Sequence, residues 1–176
     1  MTLVLAVGCA EPEPLGLDGL DLDEDGVLTD ADLERGVAAV LWESDLPALG
    51  GGELRSATAT AIELYRDPGR LVTATDFSAA GFRLEMLFDV TALEAGRRYD
   101  HEAAAFINLQ EEEPEWFGDL ATGVSGELEL TMYNGARASA WLDGSADFEL
   151  LDASGAPLGS SVEVLGFAFA EFEGDF

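Results

Sequence analysis

Gly126–Leu150 reads GELELTMYNGARASAWLDGSADFEL, and the alternation inside it decides the fold. Leu128, Leu130 and Met132 fall on one parity, while Glu127, Glu129 and Thr131 fall on the other. Successive side chains of a strand point to opposite faces, so this pattern sets one face on a core and the other in water. Asn134-Gly135 then supplies the two residues that tolerate positive φ in a tight hairpin turn. Beyond the turn, Ala146, Phe148 and Leu150 resume the alternation against Asp147 and Glu149.

The same period extends outward from this hairpin. Phe82, Leu84, Met86 and Phe88 share one parity, with Arg83, Glu85 and Asp89 on the other. Near the C-terminus Leu165, Phe167 and Phe169 form the expected inward set. Val162 and Val164 sit on the opposite parity, which places a bulge at Gly166 or its neighbour. Turn chemistry separates the runs at Asp67-Pro68-Gly69-Arg70, Asp143-Gly144 and Ser154-Gly155. Several short strands, about seven or eight, predict an all-β fold: an antiparallel β-sandwich or a small barrel.

Upstream the pattern changes. Leu33, Val37, Val40 and Leu41 recur at helical spacing, and Thr29 with Asp32 has the spacing of a capping box. One short α-helix is therefore expected, ended by Pro47 and the run Gly50-Gly51-Gly52. Before it, Asp21–Asp32 reads DLDEDGVLTDAD: six carboxylates in twelve residues around a single glycine. Calcium takes six to eight oxygen ligands at ~2.3–2.6 Å, and a twelve-residue loop can wrap it. Asp21, Asp23 and Asp25 occupy the first, third and fifth positions, and Gly26 stands where the chain must turn. Val27 offers a backbone carbonyl, Thr29 an oxygen directly or through water, and Asp32 closes the site. Leu28 stands where a loop of this kind points back into apolar packing. Together these positions resemble a single EF-hand or dockerin-type calcium loop over roughly residues 20–42. The resemblance implies a bound Ca2+ with Asp21, Asp23, Asp25, Val27, Thr29 and Asp32 as its ligands. It does not extend to the cohesin binding of dockerins, because only one loop is present and Leu15–Leu20 carries two glycines where an entering helix would stand.

Asp and Glu number 36 against eight arginines and no lysine, for a formal net charge of -28. A surface of that sign repels nucleic-acid phosphates and anionic lipid heads, so no nucleic acid is expected as partner. With 48% hydrophobic residues the chain still has the means to build a core, unlike a disordered acidic tail. Its start, MTLVLAVGCAEPEP, sets an apolar run before a single cysteine and an acidic, proline-rich stretch. Ala6-Val7-Gly8-Cys9 resembles a bacterial lipobox. That resemblance implies lipidation at Cys9, a membrane association through that anchor alone, and an extracytoplasmic place at the cell envelope or outer surface. Only Met1–Val7 precede the motif, without the basic residues of a full secretory signal. Leu93–Tyr99, Gly126–Leu130 and the hairpin Ala138–Leu150 are similar to segments of small β-rich bacterial surface lipoproteins, a likeness of architecture only.

Catalytic signals are weak. His101 is the only histidine; Asp100-His101-Glu102 begins like a zinc-protease motif, but Ala105 stands where the second histidine is required. It reads instead as an exposed turn or strand-end residue. Ser125 lacks the spacing of a nucleophile elbow, and no glycine-rich phosphate loop occurs. The exposed aromatics Trp116, Phe117 and Trp141, with Tyr133 on an outward parity, offer the remaining ligand-binding hint. Aromatics on a sheet face can stack on sugar rings, while the plainer role is to cover an edge. Three regions follow: a signal remnant, lipobox and tether (1–14), an EF-hand-like calcium loop plus helix (15–49), and an antiparallel β-domain (50–176). The function expected is that of a non-enzymatic exported protein with one structural calcium site. A carbohydrate-binding module and a lipocalin-like carrier of an apolar ligand are the alternatives, and a carbohydrate or protein partner fits the first of them.

Overall fold

The computed structural model describes residues 27–174, apart from 50–53, 59–60, 68–69, 78–79, 91, 109–116, 119–120 and 153. All regular structure beyond two 3-10 turns, Asp30–Asp32 and Pro47–Leu49, is strand. The chain is all-β. Ten strands follow in order: β1 (Ala38–Ser44), β2 (Leu54–Thr58), β3 (Ala61–Asp67), β4 (Arg70–Phe77), β5 (Phe82–Asp89), β6 (Arg97–Asn108), β7 (Phe117–Gly118), β8 (Gly123–Tyr133), β9 (Arg137–Leu151) and β10 (Pro157–Glu173).

They form one antiparallel sheet in the order β2-β1-β10-β9-β8-β6-β5-β4-β3, with β7 paired to β9. The sheet curls into a half-barrel rather than two stacked layers. Most neighbours along the chain are neighbours in the sheet; the exceptions are that β1 closes onto β10, that β7 pairs with β9 and leaves β6 beside β8, and that among the described residues no ladder joins β2 to β3. Strand β6 carries the curl. Its residues Arg97–Asp100 pair with β8, whereas His101–Asn108 pair with β5, and Glu102 is a bulge residue within the β5 ladder, between the His101–Phe88 and Ala103–Leu87 pairs.

Inward parity is as the sequence indicates along most strands. Phe82, Leu84, Met86 and Phe88 are all buried, as are Leu128, Leu130, Ala146, Phe148 and Leu150. Phe82 touches the rings of Trp42 (5.0 Å), Phe77 (5.3 Å) and Phe106 (4.4 Å), and Phe106 continues to Phe148 (5.5 Å). This chain of rings spans the concave side from β1 to β9. The expected bulge in β10 is present between Val164 and Phe167. Its parity differs from expectation at one residue: Val162, Val164, Phe167 and Phe169 are buried, and Leu165 is the extra residue, left 39% exposed. A bulge seats two residues against one, so the set before it and the set after it can both face the core. Tyr133 also departs from its expected outward parity, because the register shift after Leu130 turns it against the core.

Gly126 and Gly144 face each other directly across β8 and β9. A Cβ on Gly126 would run into the Asp143 carbonyl, and one on Gly144 into the Ser125 carbonyl. Gly126 also has φ +92, which glycine alone adopts without strain. The two glycines let the hairpin cross itself closely where the sheet coils.

The expected α-helix is not formed. Thr29 and Asp32 do make a capping box, yet it opens only the single 3-10 turn Asp30–Asp32. Gly36, with φ +74, then redirects the chain, and its N–H donates to the Ala170 carbonyl at 2.7 Å. From Ala38 the chain is a strand between β2 and β10, so the region expected to hold a helix contributes the sheet's own β1. The reason lies in its burial: Ala38, Val40 and Trp42 face the core, while Ala39 and Leu41 on the other face are covered too. A strand buried on both faces shows no alternation, and its apolar run mimics a helical stripe.

Candidate functional site

The convex face of the sheet carries many charges and, where β1 meets β10, an apolar island. Ala39 and Leu41 of β1 and Ala168 of β10 form it, with the half-buried ring of Trp141 from β9 at its margin. Leu28 drops onto this island and is left 3% exposed, with Leu33 beside it. The eighth position of the loop therefore goes into apolar packing, as the loop's pattern asks. Burying such a leucine is worth about 1.5–3 kcal/mol.

The residues on either side of Leu28 complete the attachment. The Thr29 amide donates to Asp32 Oδ2 at 2.8 Å and its hydroxyl to the same oxygen at 2.9 Å, while the Ala31 amide donates to Thr29 Oγ1 at 3.2 Å. Asp32 is 5% exposed, and Asp30 accepts from the Thr131 hydroxyl of β8. Arg35 pairs with Glu171 of β10 at 3.0 Å. Glu171 has φ 50, the one positive φ outside glycine among the described residues. It stands in a bulge of β10, where its amide donates to Ser139 Oγ at 2.8 Å and its carboxylate also lies 3.9 Å from Arg137. Positive φ is costly for a residue with a side chain, so contacts on both sides of Glu171 hold it there.

Of the six expected ligand positions, Val27, Thr29 and Asp32 are described, and Asp21, Asp23 and Asp25 lie outside the described residues. The Val27 side chain is exposed, leaving its main chain the relevant group. Thr29 and Asp32 converge: a hydroxyl and a carboxylate in contact, on one turn. Hard oxygen donors of this kind suit Ca2+, so the part of the loop on view fits the ion. The same contact is also a capping box, which forms without any metal. Among the described residues no group of three or more His, Cys, Asp or Glu side chains is arranged to hold a metal ion.

Of the other residues expected to bind a ligand, Trp141 alone has a described side chain. Trp141 does face outward, but its neighbours already occupy it. The Arg98 guanidinium lies 5.8 Å from the ring centroid, held there by Glu129 at 2.9 Å and Asp143 at 3.1 Å. Those carboxylates raise the Arg98 pKa further. Phe117 is the first residue of β7, opposite Leu151. Trp116 and Cys9 lie outside the described residues.

His101, expected at an exposed turn, is a buried residue of β6 at the point where the strand changes partners. Its ring lies against Phe88 at 5.1 Å, and Nε2 is 2.9 Å from the Ala103 carbonyl, to which it donates. Nδ1 makes no hydrogen bond. Burial lowers the His101 pKa below its ordinary value, and the nearby Ala103 and Ser125 carbonyls offset part of that effect. The zinc-protease pattern finds no partner for it.

Thr73 and Thr75 point inward with no accessible surface at all, although neither hydroxyl has a hydrogen-bond partner, and Trp42 Nε1 is likewise unpartnered. Even one water needs room that these atoms do not have. On the convex face, Glu43, Glu163 and Asp147 sit directly opposite one another across β1, β10 and β9 and line an open acidic groove with Asp45, Glu149 and Ser161.

No protein-family model, curated protein or solved structure matches this chain.

Proposed function

We propose that this is an exported, lipid-anchored, non-enzymatic β-protein whose Asp21–Asp32 loop holds one structural calcium ion. The observation that carries the reading is the joint burial of Leu28 and Asp32 on the sheet's outer wall, with Thr29 turned onto Asp32. An acidic turn without a task would leave its leucine and its carboxylate in water. Here the last third of the loop docks on the fold as the end of a calcium loop does.

Bound calcium would supply the positive charge that lets the loop's carboxylates approach one another. Asp21, Asp23 and Asp25 would contribute side-chain oxygens, Val27 its carbonyl, and Thr29 and Asp32 the closing oxygens. The binding free energy would then count toward ordering the arm on the sheet. Calcium outside the cell is abundant enough to fill a site of modest affinity. The export part of the reading rests on Ala6-Val7-Gly8-Cys9, with lipid attached at Cys9 and Glu11–Pro14 as an extended spacer.

Thermal melts test the calcium part. The midpoint should rise when calcium replaces EGTA, and Asp21→Ala or Asp25→Ala should abolish the difference while the sheet still melts cooperatively. A midpoint indifferent to calcium in the unaltered chain would remove the site.

A further inference from the structure

We infer that His101 is an acid-operated latch. Its neutral ring closes the joint where β6 passes from one half of the sheet to the other, and protonation of the ring opens that end of the joint. Nothing in this depends on the calcium loop.

Among the described residues, β6 is the strand whose ladders join the two halves of the sheet. Strands β2, β1, β10, β9 and β8 lie to one side of it, and β5, β4 and β3 to the other. Its two registers share no residue: Arg97–Asp100 belong to β8, and the β5 ladder begins at His101. The next residue, Glu102, is bulged, which parts the His101–Phe88 pair from the remainder of that ladder. His101 therefore stands at the step of β6 where the ladder changes sides and is interrupted as well.

The ring that fills this step suits it only while neutral. It lies 5.1 Å from the Phe88 ring, and Nε2 donates to the Ala103 carbonyl at 2.9 Å, spanning the bulge. Nδ1 has no hydrogen-bond partner. A second proton there puts a full charge among apolar groups, which costs far more than an unpaired neutral nitrogen. The inner face presents no countercharge. From β5 it offers Phe88 and Val90, from β4 Leu71, and from β8 and β9 Leu128 and Ala146, all buried. Tyr99 of β6 is committed through its hydroxyl to the Ala92 carbonyl and the Glu94 amide. The charged groups on these elements, Arg70, Asp89, Asp100, Glu102, Glu127 and Asp147, face water wholly or in part on the outer parity, where Arg70 engages Glu102 and Arg98 engages Glu127. The Ala103 and Ser125 carbonyls attract the charged ring, but burial outweighs them.

Other contacts keep the opening local. Farther along β6, Phe106 packs on Phe82 and Phe148, and Phe82 reaches Trp42 of β1, so the rings bind the two halves at that end. The Ala121 amide also donates to the Ala104 carbonyl at 2.8 Å. Only the His101 end parts, uncovering Phe88 and its cross-strand partner Leu71.

Native-state hydrogen exchange on the full chain tests the latch. It is read by NMR for Met86–Phe88 and His101–Ala103, and for the β9–β10 ladder, at two pH values and in low urea. Local opening exposes little surface and is insensitive to urea, whereas global unfolding is steeply sensitive. A ring with the ordinary pKa of 6.5 when open, and neutral when closed, makes the open state about tenfold more populated at about pH 5.5 than at about pH 7.5. Protection at the His101 end, corrected for intrinsic exchange, should be lower than in β9–β10, insensitive to low urea, and smaller by that factor at the lower pH. His101→Phe, which keeps the ring packing, and His101→Gln, which keeps a donor for Ala103, should each remove the pH difference. Exchange that matches β9–β10 in free energy and urea dependence would leave only global unfolding and overturn the latch. Protection unchanged by pH in the unaltered chain would overturn it as well. So would a loss at this end that survives in both variants, since a carboxylate would then be the titrating group.

Discussion

His101 is 7% exposed, its ring against Phe88 and its Nε2 donating to the Ala103 carbonyl. The charges nearest along the chain, Asp100 and Glu102, face solvent, and Glu102 is engaged by Arg70 at 3.1 Å. Burial therefore holds the ring neutral, below its ordinary pKa of 6.5. The unfolded chain takes up the proton first as the pH falls, so the stability due to this group is complete above the unfolded value and declines beneath it. The urea midpoint should fall between about pH 7.5 and pH 5.5, and His101→Gln should flatten that part of the slope. An unaltered slope in the variant would mean that carboxylates alone set the acid response. Nothing in the sequence marked this residue as internal. Its polar neighbours on both sides resemble a turn, and only the register change within β6 turns it inward.

At the scale of the element, the strands whose two faces see different surroundings were legible, and those whose faces are alike were not. Strand β5 alternates Phe82, Leu84, Met86 and Phe88 with Arg83, Glu85 and Leu87, and its parity holds. Strand β1 has apolar residues on both faces, the outer one covered by Leu28 and Leu33, and its spacing reads as helix. The capping box at Thr29 was likewise legible as chemistry, though the element it opens is one turn long. The site divides the same way: Leu28 is buried as its loop position expects and Thr29 with Asp32 makes the capping box their spacing expects, while the Arg35–Glu171 and Asp30–Thr131 contacts join residues far apart in the chain and carry no local signal. The crossing of β8 and β9 gives a prediction at this scale. Gly126→Ala places a Cβ against the Asp143 carbonyl at φ +92, and should destabilise the fold by at least about 1–3 kcal/mol in denaturant unfolding. Gly135→Ala, in an open hairpin turn with nothing near its Cβ position, should be milder. Equal effects at the two sites would show that close packing at the crossing contributes nothing.

For the whole molecule, charge is the dominant quantity. A net charge of -28 on 176 residues acts against any compact state, and Glu43, Glu163 and Asp147 even oppose one another across adjacent strands. Salt largely screens repulsion between exposed charges farther apart than about 10 Å at 0.1 M, and closer ones as its concentration rises. The melting midpoint should therefore climb from low to molar sodium chloride, and a flat profile would mean that the aromatic core outweighs the field of the charges. Calcium held as proposed would act differently, through one stoichiometric place rather than through screening. Calorimetric titration of calcium into the full chain, at a salt concentration that already screens the surface, separates the two most directly. One saturable site, lost in Asp25→Ala, is the result expected. Heats that never saturate, or a site that survives Asp25→Ala undiminished, would contradict the account.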